Sequence, residues 1–277
     1  MNADSPAAEP PAAASATAVI ELIEATVVAG GAGQTVLVEG IDCRIAAGEY
    51  WVIGGPPGSG KSSLLATMAG LCRPSKGTLR LFGRDTASFD DGEFLAARLR
   101  IGLVFENGGR VFNQLTVREN IALPLRYHQE QRPAATEERV KEILEATNLG
   151  PLADRLPGQI THPWRQRVGL ARALALHPEV LLLDNPLAGL GPQDSRWWTG
   201  FLARLSAGQD VMGRRSATVV IATHDLRPWS RKGKQFALLK EGCWLPVGGQ
   251  TELAGSDEPL LRELLAAESG VTPAVAS

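Results

Sequence analysis

The sequence predicts an α/β protein: a mostly parallel sheet, an N-terminal antiparallel β-subdomain and an inserted helical subdomain. Three observations carry this. Short, continuous apolar runs recur at residues 50–54, 101–105, 180–184 and 218–222, the pattern of strands buried on both faces. Helical stretches lie between them, and strands that alternate with helices fold as parallel sheets. A glycine-rich run, Gly55-Pro56-Pro57-Gly58-Ser59-Gly60-Lys61-Ser62, joins the first of these strands to the first helix.

In chain order, residues 18–48 read as short strands and turns, with Gly30, Gly31 and Gly33 as a turn cluster. A buried strand over 50–54 leads to a helix over 61–69. Strands follow at 78–82 and 101–105. From 116 to about 176 the pattern is helical, with segments near 137–147 and 164–176, and this stretch is read as a subdomain inserted over about residues 107–175. A strand over 180–184 ends in a carboxylate, and a helix over 193–205 precedes the strand at 218–222. Runs at 236–239 and 243–247 form a closing hairpin about Glu241-Gly242, and 258–268 forms a last helix. The expected organisation is a tail over 1–17, one domain over 18–250, and a C-terminal helix and tail over 251–277. No internal repeat is visible.

The 277 residues carry 28 Lys+Arg against 30 Asp+Glu, a balance that argues against a nucleic-acid partner. No apolar run approaches the ~18 residues that span a bilayer, so a soluble chain is expected, with any membrane role supplied by a partner. Residues 1–17, rich in Ala and Pro, lack the charged start and apolar core of a secretory signal and are expected to be disordered. Cys43, Cys72 and Cys243 show no metal-ligand spacing and read as reduced cytosolic thiols.

The glycine-rich run fits G-x-x-x-x-G-K-[ST] in a strand–loop–helix setting, the signature of a P-loop NTPase. Its glycines let backbone N–H groups turn inward around phosphates, and the helix behind adds the positive end of its dipole. Gly55, Pro56, Pro57, Gly58, Ser59 and Gly60, with Ser63, form the cradle. Lys61 is expected to reach the β- and γ-phosphates and Ser62 to ligate Mg²⁺. Asp184, at the end of an apolar strand, can hold Mg²⁺ directly or through water; an Asp that merely starts a turn is the competing reading, and the upstream P-loop favours the metal. His224, just past the strand over 218–222, stands at the edge where such sheets bind ligands. It can bond a γ-phosphate or position water, or be structural.

Together these pieces resemble the ATP-binding subunits of ABC transporters over residues 20–249. Arg165-Gln166-Arg167-Val168-Gly169-Leu170-Ala171-Arg172-Ala173-Leu174 is similar to the helix after the family signature. Leu181-Leu182-Leu183-Asp184 resembles the Walker B strand, Thr223-His224-Asp225 the switch histidine, and Ile101-Gly102-Leu103-Val104-Phe105 the strand into the Q-loop. The resemblance implies ATP and Mg²⁺ as cofactors and a membrane permease and a second nucleotide-binding subunit, identical or not, as partners. It implies a cytoplasmic chain peripheral on the inner face of the cell membrane. Asn113-Gln114-Leu115-Thr116-Val117-Arg118-Glu119-Asn120-Ile121-Ala122-Leu123-Pro124-Leu125 is most similar to bacterial lipid-trafficking members, including those associated with mammalian-cell-entry proteins.

The departures matter as much. Where the family usually has Gln after the Q-loop strand, this chain has Glu106; where it usually has Glu after the Walker B Asp, it has Asn185. The signature aligns with Ile160-Thr161-His162-Pro163-Trp164, the D-loop Asp with Gly191, and the adenine-stacking aromatic with Ala29. Glu106 keeps an oxygen for the Mg²⁺ shell, or is a solvated Glu. Asn185 can orient water but cannot accept a proton at neutral pH. A general base is typically worth ~10²–10⁴-fold, so slow hydrolysis is expected. Thr161 can replace the signature hydroxyl, whereas Pro163 has no N–H. His224, Asn185 and Glu106 are the candidate catalytic residues, and Ser62, Asp184 and Glu106 the candidate metal ligands. Trp197 and Trp198 read first as core and surface packing, second as an interface. A subunit that binds ATP and scarcely hydrolyses it is the rival function. A soluble ABC protein of translation or DNA repair fits less well, because paired cassettes and a long coiled coil are absent.

Overall fold

A computed structural model describes residues 18–29, 35–128, 133–208 and 215–266. Two antiparallel strands open it, β1 (Ala18–Val28) and β2 (Val36–Ala46), followed by β3 (Tyr50–Gly54), α1 (Lys61–Met68), β4 (Lys76–Leu81), β5 (Arg84–Asp85), α2 (Asp91–Leu99) and β6 (Ile101–Val104). Three helices come next, α3 (Val117–His128), α4 (Pro133–Ala146) and α5 (His162–Leu174). The chain ends with β7 (Val180–Asp184), α6 (Pro192–Ser206), β8 (Thr218–Thr223), β9 (Gln235–Lys240), β10 (Cys243–Gly248), α7 (Gln250–Gly255) and α8 (Pro259–Ala266).

The strands make one mixed sheet in the order β5-β4-β1-β2-β10-β9-β3-β8-β7-β6. Strands β9, β3, β8, β7 and β6 run parallel. Strands β5, β4, β1 and β2 are antiparallel, as are β10 and β9. The two halves meet where β10 pairs with β2 through a single residue pair, Cys243 with Glu39. Every residue of β7 and β8 is buried, as continuous apolar runs between two layers require.

Among the described residues, three apolar clusters form the core. One packs α1, through Leu64, Leu65 and Met68, beneath β1, β2 and β7. A second lies on the other face of the parallel strands, where Trp198, Phe201 and Leu202 of α6 meet Val219, Trp229, Leu261 and Leu264. The third belongs to α3, α4 and α5, with Ile121, Ile143 and Val168 at its centre.

Some expectations are corrected. The strands over 18–48 are not short: β1 and β2 have 11 residues each, bent by register shifts that interrupt their alternation. Helices α2 and α7 were not expected. A capping box starts α2: Asp90 accepts from the Glu93 N–H, and Glu93 accepts from the Asp90 N–H. The helix expected over 258–268 is seen as α8, with residues 267 and 268 outside the described part. Gly30, Gly31 and Gly33, and the tails over 1–17 and 267–277, also lie outside it. No helix among the described residues is long and apolar enough to cross a membrane.

Candidate functional site

The site follows from the ends of four neighbouring parallel strands. Each stops at the same edge, so the residues just beyond β3, β6, β7 and β8 converge there. From β3 comes the loop 55–60, which turns into α1 through Gly60 at φ 92°. A side chain at Gly60 would sit 3.1 Å from both Leu37 and Val38, a tight contact, and the positive φ strains any other residue there. Gly58, also left-handed, faces open space.

A cavity of about 400 Å³ lies over this loop. Pro57, Gly58, Gly60, Lys61, Ser62 and Ser63 form its floor; Glu106, Asp184, Asn185 and His224 line its wall. Gly55, Pro56 and Ser59 do not line it. They hold the lysine instead: Lys61 Nζ donates to Gly55 O at 2.8 Å, Pro56 O at 2.7 Å and Ser59 Oγ at 3.3 Å. Burial lowers the Lys61 pKa, opposed by the nearby charges of Asp184 and Glu106. The Asp184 carboxyl is raised, first by burial; a hydrogen bond from Ser62 pulls the other way. A hydroxyl and a carboxylate already in contact, beside an ammonium at a helix N-terminus, fit a divalent cation and a chain of phosphates.

Asn185 has left-handed backbone, φ 43°, which Asn tolerates better than most residues. Its N–H donates to Ala222 O at 2.8 Å, and its Nδ2 donates to Glu106 Oε1 at 3.0 Å. His224 is exposed at the rim.

Leu37 also lines the cavity, and sequence reasoning missed it because it sought an aromatic. Ala29 is not part of the lining; its N–H closes the β1–β2 connection on Thr35 O at 2.8 Å. Thr161, His162 and Pro163 lie away from this cavity, at the start of α5. His162 Nε2 is 3.0 Å from Asn107 Oδ1, which ties the loop after β6 to that helix start. Beside it, the Arg167 guanidinium lies 4.5 Å from the Trp164 ring and 3.9 Å from the Trp197 ring, and bonds Asp194 at 2.7 Å. Trp198 is fully buried and Trp197 is half-buried, stacked on Phe201, so the two tryptophans pack as core and surface.

Fold and cradle define a P-loop nucleotide-binding protein. Comparison with known proteins narrows the class. Residues 38–188, more than half of the chain, match the family model described as ABC transporter. A protein of Mycobacterium leprae named "Probable ribonucleotide transport ATP-binding protein mkl" is 32% identical over 84% of this chain and 65% of its own. The sulfate/thiosulfate import ATP-binding protein CysA of Synechococcus elongatus is 37% identical over 80% of this chain and 60% of its own. The chain thus spans just under two thirds of the length of these curated relatives. Among solved structures, the dimeric post-hydrolysis state of the ATP-binding cassette MJ0796 bound to ADP and Pi superposes with a TM-score of 0.71 and 30% identity, covering 81% of this chain and 95% of that one. The chain belongs to the ABC transporter family.

Proposed function

We propose that this chain is the ATP-binding subunit of a membrane transporter, binding Mg-ATP at the P-loop and hydrolysing it slowly to drive a permease. One observation carries the reading: Lys61, Ser62, Asp184 and His224, drawn from three separate strand ends, line a single cavity over a glycine cradle. Lys61 exchanges its carbonyl partners for phosphate oxygens, Ser62 and Asp184 hold Mg²⁺, and His224 contacts the γ-phosphate from the rim. Bound Mg²⁺ would offset the charge of the phosphate oxygens. The apolar cluster of α3, α4 and α5 supports residues 107–175 as a subdomain that carries the signature segment towards a second nucleotide-binding subunit.

The chain sits, in this reading, on the inner face of the cell membrane, bound to its permease. The relatives' names point to ribonucleotides in one case and to sulfate or thiosulfate in the other. A lipid cargo rests on residues 113–125 alone. The test is phosphate release by the subunit assembled with its native permease, with Lys61→Ala as control. Release that depends on Lys61 and on the permease supports transport.

Asn185 and Pro163 favour a second reading, a subunit that responds to ATP without hydrolysing it. Tight Mg-ATP binding with no phosphate release, in the assembled complex, would select it.

A further inference from the structure

The hydrolytic reading leaves the attacking water with a single amide oxygen, that of Asn185, where a carboxylate would offer a stronger hydrogen-bond acceptor. We infer that Glu106 and Asn185 act as one unit: Glu106 supplies an acceptor oxygen to that water, and Asn185 positions it. This rests on the proposed Mg-ATP hydrolysis.

The argument is one of donors and acceptors. The Asn185 backbone is fixed by its bond to Ala222 O, and its Nδ2 reaches Glu106 Oε1 at 3.0 Å. A carboxylate only accepts, so the amide nitrogen must face Glu106, which directs Oδ1 elsewhere. Glu106 lines the cavity and uses Oε1 on Asn185, and its carboxylate has a second oxygen that can accept. Asp184 is the other carboxylate lining the cavity, and it faces Ser62 and Lys61. Glutamine at 106 would turn its single oxygen to Asn185 and present an NH₂ group to the water, which needs acceptors for its hydrogens. Glutamate at 185 would face Glu106 with no donor between two carboxylates. Of these pairs, one amide with one carboxylate is the one that both bonds across and leaves a carboxylate oxygen for the water.

In the step served, the water oxygen bonds to the γ-phosphorus as the bond from that phosphorus to the β–γ bridging oxygen breaks. ADP leaves with that electron pair, and one water proton passes to a γ-phosphate oxygen, giving ADP and dihydrogen phosphate. Glu106 and Asn185 orient the water and gain no proton, in keeping with a reaction governed by positioning and electrostatics.

The test compares wild type, Glu106→Gln, Asn185→Glu and the double variant as full chains in complex with the permease. Calorimetry gives Mg-ATP affinity, steady-state assays give phosphate release, and thermal unfolding of the nucleotide-free chain gives stability. Glu106→Gln is expected to bind Mg-ATP like wild type, with KM unchanged and the release rate down about 10²-fold, the size of a positioning loss. Asn185→Glu is expected to melt lower, and the double variant to recover both melting temperature and part of the release rate. The inference is overturned if Glu106→Gln releases phosphate like wild type, or if excess Mg²⁺ restores its rate, which would place Glu106 in the metal shell. Additive effects of the two substitutions would also overturn it. A wild type that binds Mg-ATP but releases no phosphate overturns the inference and leaves ATP binding standing; no Mg-ATP binding at all removes the proposed function itself.

Discussion

Asn185 donates its side-chain amide to the Glu106 carboxylate, across 79 residues of sequence, and so ties the loop after β6 to the end of β7. Those strands are already neighbours, with Val104 paired to Leu183. The bond therefore costs little backbone ordering beyond what the ladder imposes. It fixes a negative charge beside Lys61 and Asp184.

Lys61→Ala should weaken Mg-ATP binding about 10–100-fold, the worth of charge-assisted hydrogen bonds to phosphate. Calorimetry checks this, and equal affinities would remove the P-loop from nucleotide binding.

The base should be read weakly. Leu37 lines the cavity and Ala29 does not, so the proposed binding mode offers the base an aliphatic surface in place of aromatic stacking, which would contribute about 1–3 kcal/mol. GTP should compete with labelled ATP to within about tenfold on that scale, and a large preference for ATP would contradict the reading.

The loop after β6 should meet the permease. Phe105 and Phe112 are 47% and 50% exposed on it. The loop is not loose: Asn120 of α3, fully buried, bonds Phe112 N–H at 2.8 Å and Phe112 O at 3.1 Å. Single cysteines over 106–113 should crosslink to the permease in the assembled complex. Capture of only a second copy of this chain would count against transport.

Arg167 should matter for stability. Its guanidinium is buried between two indoles and paired with a partly exposed Asp194. Arg167→Ala should cost about 2–4 kcal/mol, from lost cation–π contacts and a broken, largely buried pair. Denaturant unfolding measures it, and a loss below about 0.5 kcal/mol, the usual range for surface changes, would mean the stack is ornamental.

Thiol labelling should follow burial. Cys243 is exposed, whereas burial, with the Glu49 charge adding, pushes the Cys43 thiol up to about 12. At pH 8 iodoacetamide should modify Cys243 promptly and Cys43 only after unfolding, because the thiolate is the reactive form. Mass spectrometry of digested protein reads the order.

Much of this was legible in the sequence. Strand β3, the loop and α1 announce themselves as an apolar run, a glycine motif and a helical pattern, and β7, β8 and the β9–β10 hairpin fall where their runs predict. Helix α2 was missed although Asp90 and Glu93 spell its cap; it is short and buries only Ala97. The lengths of β1 and β2 escaped because bulges break their alternation. At the site, Lys61, Ser62 and Asp184 were readable as motif positions. The Asn185–Glu106 bond was not, because it depends on β6 lying beside β7 and on a left-handed residue after Asp184, neither of which a local pattern encodes. The Arg167 sandwich is hidden for the same reason, since Trp164 and Trp197 come from different helices.

The ten-stranded sheet has a seam. Between β2 and β10, among the described residues, the ladder provides a single rung, Cys243 with Glu39, together with the Glu39 N–H on Gly242 O at 2.9 Å. Closure there falls to the side chains below, where α1 is wedged against both halves. Leu37 stands two residues from that rung on one bank, while Lys61, Ser62 and Asp184 stand on the other. A molecule held by both banks is a staple across the joint. Linkage is reciprocal, so a bound molecule that stiffened the seam would in turn be held more tightly by a stiffer one, and a change to the oily wedge beneath would be felt in affinity without touching a single group that binds.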